Sequence, residues 1–154
     1  MRSLIRFFLF FYYDTSYTMG SAGKVLLGKK VAVANTLFNV SSGSIFISDY
    51  VIFGQNVMIL TGRHNFKQGQ RAGLDYIKTS EAWGGGELEV PSKGYDIHIG
   101  QGSWIASGAI ITGGVKIGDH VIVAAGAVVT KDLPNHAIAA GIPAKIIGDT
   151  RNFH

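Results

Sequence analysis

The sequence predicts an all-β protein built as a parallel β-helix, and two observations carry this prediction. Residues 99–134 divide into six consecutive hexads that each begin with Ile or Val: IGQGSW, IASGAI, ITGGVK, IGDHVI, VAAGAV and VTKDLP. The fifth position of every hexad is also small or apolar, at Ser103, Ala109, Val115, Val121, Ala127 and Leu133. A six-residue period fits neither an α-helix nor an alternating strand, whereas hexapeptide repetition is typical of a parallel β-helix.

A shorter block in the first half of the chain has the same form, with the hexads ISDYVI, FGQNVM and ILTGRH starting at Ile47. Residues 24–46 are rich in β-forming side chains and are expected to form an irregular first coil. No single hexad can bury its apolar face, so the coils must stack on one another. A sandwich of short strands is the alternative, but sandwiches vary their loop lengths and would not keep one phase across six units.

Composition narrows the class of protein. With 154 residues the chain suits one domain with a substantial core, and 21 glycines in a chain with only 16% charged residues indicate many tight turns between buried strands. The absence of cysteine excludes disulfides, thiolate metal sites and a cysteine nucleophile, and fits a cytoplasmic protein. The net charge of +4 comes from scattered basic residues, which favours an anionic small molecule over a nucleic acid.

The N-terminal residues 1–23 are rich in apolar side chains. The apolar run is interrupted by Arg6 and is shorter than the roughly 20 residues that span a bilayer. We expect a short helix that covers the end of the domain or docks on a partner subunit. Membrane contact through residues 1–13 is the alternative, because Phe, Tyr and Arg are common at interfaces.

The repeat breaks once. Ile59 and Ile99 both begin hexads, yet the interval between them is not a multiple of six. Residues 63–96 are therefore expected to leave the coil as a loop that covers the substrate, because long loops in compact domains are usually functional. The predicted organisation is an apolar segment 1–23, a β-helix domain 24–148 carrying this loop, and a tail 149–154.

Two stretches carry a family resemblance: "FISDYVIFGQNVMILTGRH" before the loop and "AAGIPAKIIG" near the end of the chain. They resemble the hexapeptide-repeat, or isoleucine-patch, acyltransferases, and in particular their galactoside and maltose O-acetyltransferase branch. The resemblance implies a left-handed coil with three hexads per turn, a homotrimer with active sites between subunits, and acetyl-CoA as the acyl donor without a metal. Counting through the first stretch without a gap places the catalytic histidine of that branch at His64.

The chemistry of acyl transfer agrees with this assignment. A base must remove the proton of the attacking hydroxyl, and imidazole is well suited to this role near neutral pH. A lone histidine at a loop mouth is otherwise an ordinary polar residue, so the assignment of His64 depends on the flanking match. His98 precedes the inward-facing Ile99 and is a second candidate to line the cleft, whereas His120, His136 and His154 are expected at the solvated surface.

The resemblance also implies residues for both substrates. Trp104 and Ser107 in "SWIASG" would lie beside the pantetheine arm of acetyl-CoA, the backbone of Ala125 would bond that arm, and Thr130, Lys131 and Lys145 would lie near its nucleotide and phosphates. Trp104 could instead cap a hydrophobic edge of the coil. For the acceptor, a sugar or glycan precursor, the candidates are Asn35, Asn39, Asn65 and His98, although the carboxylates common in the sugar branch are missing from "ANTLFNVSSG".

Three other functions are alternatives for a coil of this kind. An N-acetyltransferase for an amino sugar, or for a nucleotide-linked one, would use the same fold, donor and base. A non-catalytic trimeric scaffold would not need the set of His64, Trp104 and Lys145. A γ-class carbonic anhydrase would need two closely spaced histidines among its zinc ligands, and the wide intervals between all five histidines exclude it.

Overall fold

The computed structural model describes residues 15–67, 70–71 and 90–152, and it consists of short strands joined by tight corners. The strands, in chain order, are β1 (Ser16–Met19), β2 (Val25–Leu27), β3 (Thr36–Asn39), β4 (Ile45–Ile47), β5 (Ile52–Phe53), β6 (Met58–Leu60), β7 (Phe66–Lys67), β8 (Gln70–Arg71), β9 (Ile97–Ile99), β10 (Trp104–Ile105), β11 (Ile110–Thr112), β12 (Lys116–Ile117), β13 (Ile122–Val123), β14 (Val128–Val129), β15 (Ala137–Ala140) and β16 (Lys145–Asp149). A 3-10 turn at Thr150–Asn152 follows the last strand.

These strands stack into three parallel sheets that form the faces of a triangular prism. Face A is the sheet β1-β3-β6-β11-β14, face B is β2-β4-β9-β12, and face C is β5-β10-β13-β15 with β16 added at its edge. The chain visits the faces in the order A, B, C, so each turn of the coil contributes one strand or bridge to each face. The edges where the chain passes between faces are called here the A–B, B–C and C–A corners.

The pairing registers show how much chain leaves the coil. Regular neighbouring coils are offset by three hexads, as in the pairing of Ile110 with Val128. Met58 also pairs with Ile110, although the two are separated by far more than three hexads, so the surplus leaves the coil between β6 and β9. This surplus equals the length of residues 63–96, of which the structure describes the beginning, including the antiparallel β7–β8 hairpin, and the end.

The core follows the hexad. The branched first residues and the fifth residues of the hexads from Ile99 onward are all buried, which confirms the predicted inward face. In the earlier coils Phe38 and Phe53 meet edge to face, with ring centroids 6.0 Å apart. This continuous column of side chains is what a chain of short strands needs in order to bury apolar surface.

The corners explain the other hexad positions. At the B–C corner, one residue of every coil adopts a left-handed backbone conformation: Lys30, Tyr50, Gly102, His120 and His136. The residue before it reaches back along the prism, as when Asp119 Oδ1 accepts the Gln101 backbone N–H at 2.8 Å and Asn135 Oδ1 accepts that of Asp119 at 2.9 Å. A Cβ at Gly100 would collide with the Gly118 backbone of the next coil, so these corners are held to a fixed length.

The start of the β-helix differs from the prediction. Residues 16–19 form β1, which pairs in parallel with β3, so the predicted helix over 1–23 is wrong for this part and the coil begins before residue 24. The physical reason is a longer repeat: the turn Ser21-Ala22-Gly23 precedes one strand and Ser41-Ser42-Gly43 the corresponding strand of the next coil. Residues 1–14, which carry the predicted membrane-contact segment, lie outside the described residues.

The end of the β-helix also differs in detail. The last strand, β16, turns back and pairs antiparallel with β15, so residues 145–149 do not continue the coil and the predicted tail begins inside this strand. Asp149 is bound by Arg151, whose guanidinium holds the pKa of that carboxyl at about 2. Thr150 donates its hydroxyl proton to the His120 carbonyl at 2.9 Å, which fastens the end of the chain to the B–C corner.

No helix in the described ranges has the length and apolar character needed to cross a membrane.

Candidate active site at the A–B corner

His64 lies at the A–B corner, shortly after the end of β6, where the chain leaves the coil. Its side chain is exposed, although the strand before it is firmly held. The anchor is Thr61, which is fully buried: its N–H and its hydroxyl both donate to the Asn39 carbonyl, at 3.0 and 2.8 Å, and its hydroxyl oxygen accepts the Ser42 N–H at 3.1 Å. The geometry therefore presents an exposed imidazole on a short, well-anchored segment.

The two ends of the excursion meet at this corner. The Arg63 guanidinium lies 5.4 Å from the centre of the Tyr95 ring, an arrangement that favours a cation–π contact. Gly113 of the next coil lacks a side chain where one would collide with the Thr61 carbonyl and the Tyr95 side chain. The segment that leads to His64 is thus bordered by the returning strand and by the coil that follows.

The acceptor candidates fall in different places. Asn39 lies at this corner, since a Cβ on Gly62 would be 3.1 Å from its Oδ1, which also accepts the Ser41 N–H at 2.9 Å. Asn65 is adjacent to His64. Asn35 lies instead at the C–A corner, where its left-handed backbone lets its amide bond Asn56 Oδ1 at 2.7 Å, so it does not join the others on the same chain.

His98 lies on face B, stacked against Phe46 with ring centroids 4.6 Å apart and the planes within 5° of parallel. It points away from the core, as predicted, and it lies two residues after Asp96, whose carboxylate caps Ser44. The stack follows from the pairing of β4 with β9, which places the two rings one above the other on neighbouring coils. His98 is therefore on the face beyond the A–B corner.

Two of the donor candidates lie on the other side of the prism from His64. Ala125 and Ser107 lie at the C–A corner on neighbouring coils. Within the described part of the chain the Ala125 N–H and carbonyl form no hydrogen bond, and a Cβ on the neighbouring Gly126 would meet nothing within 4 Å. The Ser107 hydroxyl, by contrast, accepts the Gln55 N–H at 3.0 Å, so this side chain helps to build the corner.

The remaining donor candidates extend along the prism. Trp104 points outward from face C and is 46% exposed. Lys145 begins β16 at the edge of the same face, opposite Ala140, and is exposed. Thr130 and Lys131 follow β14 at the A–B corner of the last coil, and both are exposed. The structure therefore separates His64 from Trp104 and Ala125, placing them on different sides of one chain.

Sequence reasoning missed the outward-facing rows on the three faces. Along face A the outward row next to the C–A corner is apolar: Tyr17, Leu37, Met58, Ile110 and Val128. The second outward row, next to the A–B corner, is mixed: Met19, Asn39, Leu60 and Thr112. Face C likewise presents Ala32, Ile52, Trp104, Ile122 and Ile138. Face B presents Leu26, Phe46, His98 and Lys116. The signal was present in the residue before each inward branched residue, which is apolar on faces A and C, whereas on face B it changes from Leu26 and Phe46 to His98 and Lys116.

Metal-binding residues do not gather in the part of the chain that the structure describes, where no three His, Cys, Asp or Glu side chains come together. Four of the five aspartates there, Asp49, Asp96, Asp119 and Asp132, accept a backbone N–H of a neighbouring coil, and Asp149 is paired with Arg151. These carboxylates therefore stabilise the corners of the coil and the end of the chain.

Comparison with known proteins agrees with this architecture. Residues 96–131 match the family model "Bacterial transferase hexapeptide (six repeats)". The chain is 31% identical over 108 residues to the galactoside O-acetyltransferase of Lactococcus lactis, a match that covers 70% of this chain and 44% of the relative. The curated relatives matched are longer, and the chain covers between 26% and 63% of their length.

Two solved structures are similar as well. A maltose O-acetyltransferase from Clostridium difficile 630 superimposes with a TM-score of 0.59 at 27% identity, covering 88% of this chain and 67% of that one. A galactoside acetyltransferase in complex with coenzyme A gives a TM-score of 0.62 at 25% identity, covering 92% and 68%. The predicted fold class, a left-handed parallel β-helix with three hexads per coil, is confirmed. In its repeat, its three-faced coil and these matches, the chain is similar to the hexapeptide-repeat acetyltransferases, among them galactoside and maltose O-acetyltransferases.

Proposed function

We propose that the protein is an acetyl-CoA-dependent O-acetyltransferase that acetylates a hydroxyl of a sugar or glycan precursor, with His64 as the general base. The observation that carries this proposal is the placement of His64: an exposed imidazole at the point where the chain leaves the coil, on a segment anchored by the buried Thr61. A base must be accessible to the acceptor and yet held in one place.

The C–A corner supports the choice of donor. The pantetheine arm of acetyl-CoA is a thin chain with two amide groups. The N–H and carbonyl of Ala125, which bond nothing in the described part of the chain and lie beside open space, are suited to bond such an arm. Trp104 offers apolar surface on face C, and Lys145, at the edge of the same face, offers a cation for phosphates. Lys131 offers a second cation at the A–B corner of the last coil. The similar galactoside acetyltransferase was solved in complex with coenzyme A.

The proposed chemistry is direct transfer. Acetyl-CoA supplies a thioester carbonyl that is activated toward attack. His64 takes the proton of the acceptor hydroxyl as that oxygen bonds to the carbonyl carbon, and the resulting imidazolium returns the proton to the departing sulfur, so that His64 ends the cycle unchanged. Asn39, which lies at the same corner, would hold another hydroxyl of the acceptor.

The separation of the candidates on one chain supports a homotrimer. Faces A and C each carry an outward row of apolar side chains, the two rows differ from one another, and the two faces flank the C–A corner, whereas face B carries His98 and Lys116. A contact between face A of one subunit and face C of the next is heterologous, and such contacts close into a trimeric ring when neighbouring subunits are related by a third of a turn. The groove between them would bring His64 of one subunit toward Trp104 of its neighbour.

Subunit mixing tests this arrangement. His64→Ala and Ala125→Trp are each expected to inactivate the enzyme, the second by filling the space beside the corner. If a site takes His64 from one subunit and Ala125 from the next, randomly mixed trimers should regain about a quarter of the wild-type activity, because one interface in four receives both native residues. Co-expression followed by a turnover assay measures this recovery, and its absence in trimers shown to contain both variants would exclude a shared site.

The proposed function itself is tested by release of free CoA thiol from acetyl-CoA in the presence of panels of sugars and amino sugars. Acetylation of hydroxyls supports the proposal, and acetylation restricted to amines would replace it with N-acetyl transfer. Thermal stabilisation by CoA without turnover of any acceptor would leave only a binding role. Use of acetyl-CoA and the lack of cysteine both suit the cytoplasm, where we propose that the reaction takes place.

A further inference from the structure

We propose that Thr61 is a positioning residue for His64, acting through the backbone of the segment that joins them. This inference rests on the proposed function, because it gives Thr61 a role only if His64 is the base. It assigns to the Thr61 hydroxyl, which is buried between coils, a part in the orientation of His64.

All the hydrogen-bonding groups of the Thr61 side chain, and its backbone N–H, have partners in the preceding coil. The Asn39 carbonyl accepts both the N–H and the hydroxyl of Thr61, while the hydroxyl oxygen accepts the Ser42 N–H. One side chain therefore fastens the outgoing segment to two points of the preceding coil. Since Thr61 is fully buried, water cannot substitute for these bonds when they are lost.

The following coil closes the other side. The Gly113 α-carbon lies so close to the Thr61 carbonyl that a Cβ there would collide with it, 2.6 Å away. Thr61 is thereby held between the second and fourth coils, and only Gly62 and Arg63 separate it from His64. Rotation of the Thr61 backbone would move the imidazole directly, because no regular strand stands between the two residues.

The test replaces Thr61 with Val, which keeps the branched shape and removes the hydroxyl. We expect kcat to fall by about 10- to 100-fold, as a displacement near 1 Å at a catalytic group can do, while KM for acetyl-CoA stays unchanged. Thr61→Ser keeps the hydroxyl and should restore kcat to within a few-fold of wild type. Steady-state kinetics on the intact protein, with acetyl-CoA and the best acceptor of the panel, measure both parameters.

Two buried residues provide controls for a purely structural effect. Thr36→Val removes a hydroxyl that donates to the Val33 carbonyl at the C–A corner, and Ser42→Ala removes a hydroxyl that has no partner among the described residues. Both should keep the wild-type kcat, and thermal unfolding of all variants shows whether stability alone differs. The inference is overturned if Thr61→Val keeps kcat within two-fold of Thr36→Val, or if it raises KM alone. A fully active His64→Ala variant would instead overturn the proposed function.

Discussion

Replacement of His64 by Ala is expected to lower kcat by about 10²–10⁴-fold, the range that general base catalysis contributes, while leaving the affinity for CoA intact. The loss follows from the proposed mechanism, because the acceptor hydroxyl would have to shed its proton to water. The donor candidates Trp104 and Ala125 lie on another side of the chain, so the substitution should not reach them. Turnover and CoA binding by calorimetry are the two measurements.

The matched control is a pair of asparagine variants. His64→Asn should be as inactive as His64→Ala, whereas His120→Asn, at the B–C corner, should keep its activity. Asn tolerates the left-handed backbone that His120 adopts, so the control does not strain its corner. Near-normal turnover in both His64 variants would remove this residue from the mechanism and leave the proposed function without its base.

Replacement of Ile111 by Ala is expected to cost about 2–5 kcal/mol of the free energy of unfolding, the usual effect of truncating a fully buried large side chain. Ile111 is completely buried in the middle of the column, where its backbone pairs with Ile59 on one side and Val129 on the other. The coils on both sides are fixed by their own ladders, so the cavity cannot easily collapse. Denaturant unfolding at a constant protein concentration measures the loss.

A graded series makes this prediction specific. Ile111→Val removes one methyl group and should cost only about 0.5–1.5 kcal/mol. Equal losses of unfolding free energy for the Val and Ala variants would mean that the column repacks around the gap. A smaller loss for the Ala variant than for the Val variant would contradict the view that stability resides in this stacked core.

The inward face of the fold could be predicted because it depends on one simple requirement. Each of the three faces must turn a branched side chain into the core once per coil, so Ile105, Ile111 and Ile117, on successive faces, recur at a fixed interval and the pattern is visible in the sequence. The first coils were harder, since their turns carry extra residues: the step from Leu37 to Phe46 is longer by half a hexad than the step from Ile110 to Lys116. The longer repeat that relates these first coils therefore does not appear as a six-residue period in the sequence.

The candidate site was predictable only in part for a different reason. His64 follows from its place at the break in the repeat together with the flanking resemblance. Two features depend on which face each hexad occupies: the separation of His64 from Trp104 and the position of Asn35 at the C–A corner. The pairing of the strands determines these faces, and the identity of a single residue does not. The side-chain role of Ser107 was missed because a serine that caps a corner has the same sequence context as one beside a ligand.

All the surplus length of the coils is confined to the A–B corner: half a hexad in each of the first two turns and the whole excursion between β6 and β9 in the third. The B–C and C–A corners carry no surplus residues, and the faces beside the C–A corner are free of insertions. The A–B corner is thus the position at which the coil tolerates inserted segments. Grafting the segment between β6 and β9 from a relative onto this scaffold should exchange the choice of acceptor without altering assembly.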